Sequence, residues 1–166
     1  MNRGFLLVLF VLLFLGIFAW SLKGETIRAE WRYVVSQAQG RNTEVTINEH
    51  KYDAEVARTN VQRSRGLAGR SVLRKDTGML FVFDESDAHG FWMKDTLVSL
   101  DIIWINDGVI VDIMKNAQPA MADNPPIYYP SQPANYVLEL SGGSAIKDGI
   151  AIGQSVIIKN LDKFTD

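Results

Sequence analysis

Between residues 43 and 159 apolar residues arrive in short bursts separated by polar turns, whereas residues 4–22 form one uncharged run of mainly Leu, Phe, Val and Ile. The uncharged run predicts a transmembrane helix. At ~1.5 Å per residue it spans roughly 28 Å, close to the hydrocarbon thickness of a bilayer, and no polar face interrupts it. The bursts that follow predict strands. Residues 43–48 and 52–57 alternate apolar and polar positions around Glu49-His50-Lys51, the pattern of a hairpin with His50 in a solvated turn. Thr59-Asn60-Val61-Gln62 has the spacing of a capping box, so a short helix is expected to about Ala68 with Gly69 as its stop. Val61 and Leu67 then point to the core, and Arg63 and Arg70, seven residues apart, share a face.

Further along, residues 78–83 are almost continuously apolar, which predicts a central strand buried on both faces, and residues 84–90 read as a polar loop. Residues 100–105 are β-branched or aromatic in the main, which marks another strand. Alternation places Leu100, Ile102 and Trp104 on one side and Asp101, Ile103 and Ile105 on the other. Asn106-Asp107-Gly108 turns this strand into residues 109–114, because Asp-Gly favours the tight hairpin turn. All five prolines fall within residues 115–133, a long loop in which Tyr128-Tyr129 is expected to dock something. Residues 136–140 and 155–159 supply further strands, with Ser144 capping one helical turn between them. The sum is a compact β-rich α+β domain with one short helix, preceded by an N-terminal transmembrane helix. Three parts follow: an anchor at 1–22, a tether at 23–42 and one globular domain at 43–166.

Composition narrows the picture. Arg3 precedes the apolar run, as in a signal peptide or an anchor that keeps its amino end in the cytoplasm. The exit Phe18-Ala19-Trp20-Ser21-Leu22 lacks a clean small-residue cleavage site, so an uncleaved signal anchor with an extracytoplasmic domain is expected; secretion after cleavage is the alternative. The absence of cysteine excludes disulfides and sulfur-based zinc sites. A net charge of −2 without a basic patch argues against nucleic acid as a ligand. No cofactor is implied.

Chemistry concentrates in the stretch from Phe91 to Ile105. Asp101 shares a strand face with two isoleucines, and a buried carboxylate is costly unless a cation or backbone donors meet it. An ion pair with Arg63 or Arg70 is the leading expectation, with Glu139, beside Val137, competing for the same arginines. Trp92, Met93, Lys94, Asp95 and Thr96, together with Arg63 and Arg70, are the ligand-binding candidates: two apolar side chains lining a cleft and several polar groups to orient a ligand. The alternative for Lys94-Asp95-Thr96 is a structural turn in which Asp95 accepts backbone N–H groups. Asp84, Asp87 and His89 have only a faint metal-ligand spacing and read better as a solvated loop. No catalytic residue is assigned, since no serine has a nucleophile-elbow context.

Taken in order, Thr59-x-x-Gln62-Arg63-x-x-Gly66-Leu67-x-x-Arg70, Gly78-Met79-Leu80-Phe81-x-Phe83, Phe91-Trp92-Met93-Lys94-Asp95-Thr96, Leu100-Asp101-Ile102-Ile103 and Leu138-Glu139-Leu140 with Gly142-Gly143 and Gly153 resemble the domain-of-unknown-function 192 family. The resemblance covers residues 43–159. It implies a small barrel-like domain of mixed strands and one helix, often exported or membrane-tethered, with no established activity. The chain departs from the family's usual residues at Gln62 (commonly Glu), Ala68 (commonly Met) and Asp95 (commonly Asn).

Two functional readings follow. One is an anchored binding or accessory module of the cell envelope whose cleft around Trp92 to Asp101 holds a small molecule, an envelope polymer or a protein partner. The other is a hydrolase-like enzyme with Asp95 or Asp101 as general base and an arginine on the developing charge.

Overall fold

The computed structural model describes residues 42–121, 124–159 and 161. The apolar run at 4–22 and the tether up to residue 41 lie outside the described residues, and no described helix is long and apolar enough to cross a membrane. The domain is built on a seven-stranded sheet. In chain order its strands are β1 (Asn42–Ile47), β2 (His50–Ala57), β3 (Thr77–Asp87), β5 (Leu100–Asn106), β6 (Val109–Ala117), β8 (Ala134–Ser141) and β9 (Val156–Ile158), arranged spatially as β6-β5-β8-β3-β2-β1-β9. Two-residue strands β4 (Phe91–Trp92) and β7 (Ile127–Tyr128) form a separate small antiparallel pair. Helix α1 (Asn60–Arg65) connects β2 to β3, the parallel pair that makes the sheet mixed, and α2 (Ser144–Lys147) is one turn after β8.

The sheet curls into a half-barrel. At one end its two edges meet: Val109 bridges to Ser155, Gly153 N–H donates to the Ile110 carbonyl at 2.8 Å and Val156 N–H to the Gly108 carbonyl at 2.8 Å. Both tight hairpins use residues with φ above zero, Asn48 and Glu49 in one and Asp107 and Gly108 in the other, as the twist of antiparallel strands requires. The first turn is therefore Asn48-Glu49, and His50 opens β2 as an exposed strand residue. The polar stretch expected as a loop at 84–90 is largely strand, because β3 continues to Asp87.

The central parts of β3, β5 and β8 are buried on both faces, which explains their largely apolar sequences, broken inside by Asp101 and Glu139. On the concave side, Leu80, Val82, Ile103, Ile105, Leu138 and Leu140 pack with Val45, Ile47 and Tyr52. On the other side, Met79, Phe81, Ile102, Trp104 and Val137 are covered by Leu67, Met93, Ala117 and the β4–β7 pair. Gly78 permits this close packing, since a Cβ there would run into the Glu139 carbonyl and the Leu140 side chain.

The capping box forms: Gln62 N–H donates to Thr59 Oγ1 at 3.2 Å and Thr59 N–H to Gln62 Oε1 at 3.0 Å. The helix ends at Arg65, capped by Gly66, three residues short of the expected stop. With so little helix, Val61 is 73% exposed and contributes nothing to the core, and Arg70 lies beyond α1 and shares no helical face with Arg63. The second helical turn was expected to start on Ser144; its cap position is Gly143, with no side-chain cap of its own.

Asp101 supplies what that helix lacks. Fully buried, it accepts N–H groups from Asn116 at 2.7 Å, Gly143 at 3.2 Å and Ala145 at 2.6 Å. The expected ion pair is absent. Arg70 is held by both guanidinium nitrogens on Glu55, at 2.6 and 2.5 Å. Arg63 donates to the carbonyls of Val82, at 2.8 Å, and Arg58, and to Asn60 Oδ1. Backbone N–H groups meet the carboxylate because the first turn of α2 and a backbone turn in β6 at Asn116, where φ is +54°, both point at it.

Asp101→Ala leaves three N–H groups without their acceptor, two of them donating from the turn around α2, where that of Ala145 is buried. It is expected to lower the unfolding free energy by about 3 kcal/mol or more, whereas Arg70→Ala, which breaks a half-exposed pair, changes it by about 1 kcal/mol or less. Urea denaturation of the two variants checks this; equal losses would restore the ion-pair account.

Candidate functional site

Three short segments converge over the outer face of β3 and β8. The end of α1 brings Arg63, Arg65, Gly66 and Leu67, the floor brings Phe81, Phe83 and Glu139, and residues 89–96 bring His89, Gly90, Phe91, Trp92, Lys94 and Thr96. They enclose a cleft of about 250 Å³. The 89–96 segment is fixed rather than draped. Trp104 Nε1–H donates to the His89 carbonyl at 2.9 Å, the His89 ring stacks on Phe83 at 3.5 Å, and Phe91 sits edge-on to Phe81, Phe83 and Trp104. Gly90 lets the proline-rich stretch close over this segment, since a Cβ there would lie 2.6 Å from the Tyr129 ring. That stretch, expected as a docking loop, thus contributes β7 and half-buried Tyr128 to the wall behind the cleft.

The candidates from sequence sort into three groups. Arg63, Trp92, Lys94 and Thr96 line the cleft. Met93 does not: it is 1% exposed, packed in the core beneath, and its carbonyl accepts the N–H groups of Thr96 and Ala120. Asp95 and Arg70 also lie outside it. Asp95 is an exposed turn residue with φ of +56°, a conformation that Asn and Asp tolerate better than other side chains, which accounts for Asn being usual there. Its carbonyl, rather than its carboxylate, accepts a backbone N–H, from Gly69 at 2.8 Å.

Arg63 is a half-spent cation. Its guanidinium lies 5.0 Å from the Phe83 ring centre and is tied to three oxygen acceptors, so its first role is to pin α1 to β3. Arg65 and Lys94 are exposed at the mouth, and among the described residues their side chains have no hydrogen-bond or ion-pair partner.

Glu139 was expected to form an ion pair and does not. It is 4% exposed, flanked across the strands by Met79 and Ile102, and among the described residues no cation or hydrogen-bond donor is paired with its carboxyl. Burial pushes its pKa up to about 8, so at neutral pH the group is mostly a carboxylic acid. Residues that the sequence did not place in the cleft are Arg65, Phe81, Phe83, His89, read as part of a solvated loop, and Glu139, read as an ion-pair candidate. Of these Glu139 carried a signal, a charge inside the apolar run Tyr136-Val137-Leu138-Glu139-Leu140.

The fold and cleft define a small β-rich half-barrel with a concave site on its outer face, carrying a buried acid at the floor and cations at the rim. The chain belongs to the DUF192 family, described as an uncharacterized ACR, whose model matches residues 43–158. Among solved structures, it is similar to a "putative transcription regulator" from Sinorhizobium meliloti 1021, at 32% identity and a TM-score of 0.66, covering 72% of this chain and 95% of that one. It is also similar to a protein of unknown function from Novosphingobium aromaticivorans DSM 12444, at 34% identity and a TM-score of 0.62, covering 70% of this chain and 83% of that one. No curated protein matches it.

The raised pKa of Glu139 has a stability consequence with a definite sign. Between about pH 4.5 and 8 the unfolded chain loses this proton and the folded chain keeps it, so this group's contribution to stability is full below pH 4.5 and declines until pH 8. Glu139→Gln removes the decline and is expected to raise the melting temperature at pH 8 relative to the parent protein, with little difference at pH 4.5. Scanning calorimetry at the two pH values measures it; parallel shifts at both would show that Glu139 is ionised in the folded state.

Proposed function

We propose that the domain is a binding module whose cleft takes a small anionic molecule, presented on the outer side of the cytoplasmic membrane by the anchor at residues 4–22. The observation that carries this reading is the cleft's make-up: aromatic walls, a buried carboxyl without a partner, and Arg65 and Lys94 uncommitted at the mouth. Small-ligand sites pair apolar walls with a few convergent polar groups. Here Phe81, Phe83, Phe91 and Trp92 supply the walls, and the polar share, with Arg63, Arg65, Lys94 and Glu139, is large, which suits a polar, charged ligand. Trp92, 51% exposed at the edge of the cleft, offers a flat face to whatever enters. An envelope polymer or protein partner would meet the same side chain together with Ile127 and Tyr129, which are exposed beside it.

Hydrolysis with Asp95 or Asp101 as general base is less well supported. Asp101 has both oxygens engaged by backbone N–H groups, and Asp95 is exposed outside the cleft. A base needs to reach the proton it removes.

Screening the full-length chain in detergent by calorimetry against small carboxylates and phosphates tests the reading. A ligand should be found whose affinity falls at least about tenfold, or ~1.4 kcal/mol, in Trp92→Ala and in the double variant Arg65→Ala/Lys94→Ala. Equal affinity in all three would place the ligand elsewhere. For the anchor, the chain should sediment with membranes after alkaline extraction and be digested by protease added outside intact spheroplasts; a soluble or protected domain would contradict it.

A further inference from the structure

We propose that Glu139 recognises the ligand as an un-ionised acid, donating its carboxyl proton in a hydrogen bond to an oxygen of a polyhydroxylated anion of about monosaccharide size. This rests on the small-ligand reading of the cleft and adds the chemistry of what it takes. The starting point is geometry. Glu139 is more than nine-tenths buried, yet it lines the cleft, so its free hydrogen-bonding capacity can be met only by something that enters. A buried carboxyl with neither cation nor N–H donor is far less costly as the neutral acid.

The charged and titratable groups around it point the same way. From α1 come Arg63 and Arg65, and from the 89–96 segment His89 and Lys94, while neighbouring strands β3 and β5 present Met79 and Ile102. Asp101, the next residue on β5, belongs to the opposite face of the sheet, where it caps α2. Arg63 could have served as counter-ion but is committed to the Val82 and Arg58 carbonyls, to Asn60 and to the Phe83 ring. The cleft is therefore positive at its mouth and neutral at its floor. An anionic group belongs at Lys94 and Arg65, and an uncharged oxygen belongs at Glu139. A ligand ammonium at the floor would have to pass the cations and first ionise the acid. The volume, about 250 Å³, lies below the usual range for drug-sized ligands and suits a single sugar-sized molecule. The half-exposed Trp92 ring gives the C–H face of such a molecule a surface to lie on.

The test is calorimetric titration of the full-length chain in detergent with gluconate, glucuronate and glucose 6-phosphate. Glucose serves as the probe without charge, acetate as the one without hydroxyls, and glucosamine as the ammonium probe. At least one polyhydroxylated anion should bind more tightly than all three controls. Its affinity for the parent protein should fall roughly tenfold between pH 7 and pH 9, as the Glu139 proton is lost. Glu139→Gln, which keeps a donor and cannot ionise, should bind within about threefold of the parent at pH 7 and show a flat profile. Its melting temperature verifies that it is folded, and the parent's own profile needs no variant at all. His89→Asn should retain the alkaline fall. A flat profile in the parent, loss of binding in folded Glu139→Gln, preference for glucosamine, or disappearance of the alkaline fall in His89→Asn would each overturn the assignment of Glu139. Those outcomes leave the small-ligand reading standing. Absence of binding by every probe, together with failure of the wider carboxylate and phosphate screen, would remove that reading and this inference with it.

Discussion

The carboxylate of Asp101 is the point on which the domain's architecture turns. It is buried at the junction of three pieces of backbone: the end of β6 at Asn116, the turn after β8 at Gly143 and the first turn of α2 at Ala145. The Ala145 N–H would otherwise be buried without an acceptor, those of Asn116 and Gly143 are part-buried, and each hydrogen bond fixes one segment against β5. In this way β5 and β8 are held in the register that pairs Asp101 with Leu140 and Ile102 with Glu139. Tyr52 adds a second tie on the same side, its hydroxyl donating to Asp148 Oδ2 at 2.9 Å and joining β2 to the end of α2.

That register sets the site on the other face. Because successive side chains alternate across a strand, the pairing that turns Asp101 inward directs Glu139 outward, under α1 and the 89–96 segment. Two buried acids on neighbouring strands thus meet opposite conditions. One is saturated by backbone donors; the other is met by Met79, Ile102 and a cleft. The contrast distinguishes the two acids more sharply than any motif does. A saturated acid holds segments together, while an acid left without a partner at the floor of a cleft is stability given up at that point, the usual mark of a ligand site.

The strands and turns could be read from the chain because their causes are local. Asp107-Gly108 demands φ above zero, Thr59 and Gln62 satisfy each other within one helical turn, and the continuous apolar run from Met79 to Val82 requires cover on both faces. Boundaries shifted by a few residues where the deciding partner is distant: Gly66 ends α1 early beside the Phe81 ring, and β3 runs on to Asp87 because β8 pairs with it as far as Ala134. The partners of the acids were not legible. Alternation along β5 shows that Asp101 is buried, but a cation and three N–H groups satisfy a carboxylate equally well, and only the path of β6 and α2 decides between them. Of the cleft, Arg63, Trp92, Lys94 and Thr96 were foreseen because they crowd into two short motifs. Arg65, Phe83 and His89 were not, since their meeting depends on how β3, α1 and the segment after β3 fold over one another.

The central claim is that a neutral carboxyl waits at the floor of the cleft, and the most direct measurement is a carbon-13 NMR titration of the glutamate side-chain carboxyls, with Glu139 assigned by comparison with Glu139→Gln. The resonance that disappears in the variant should titrate near pH 8 and should move when a ligand occupies the cleft. Titration of that resonance in the ordinary carboxylate range, about pH 4 to 5, would show that the acid is ionised at neutral pH and contradict the account.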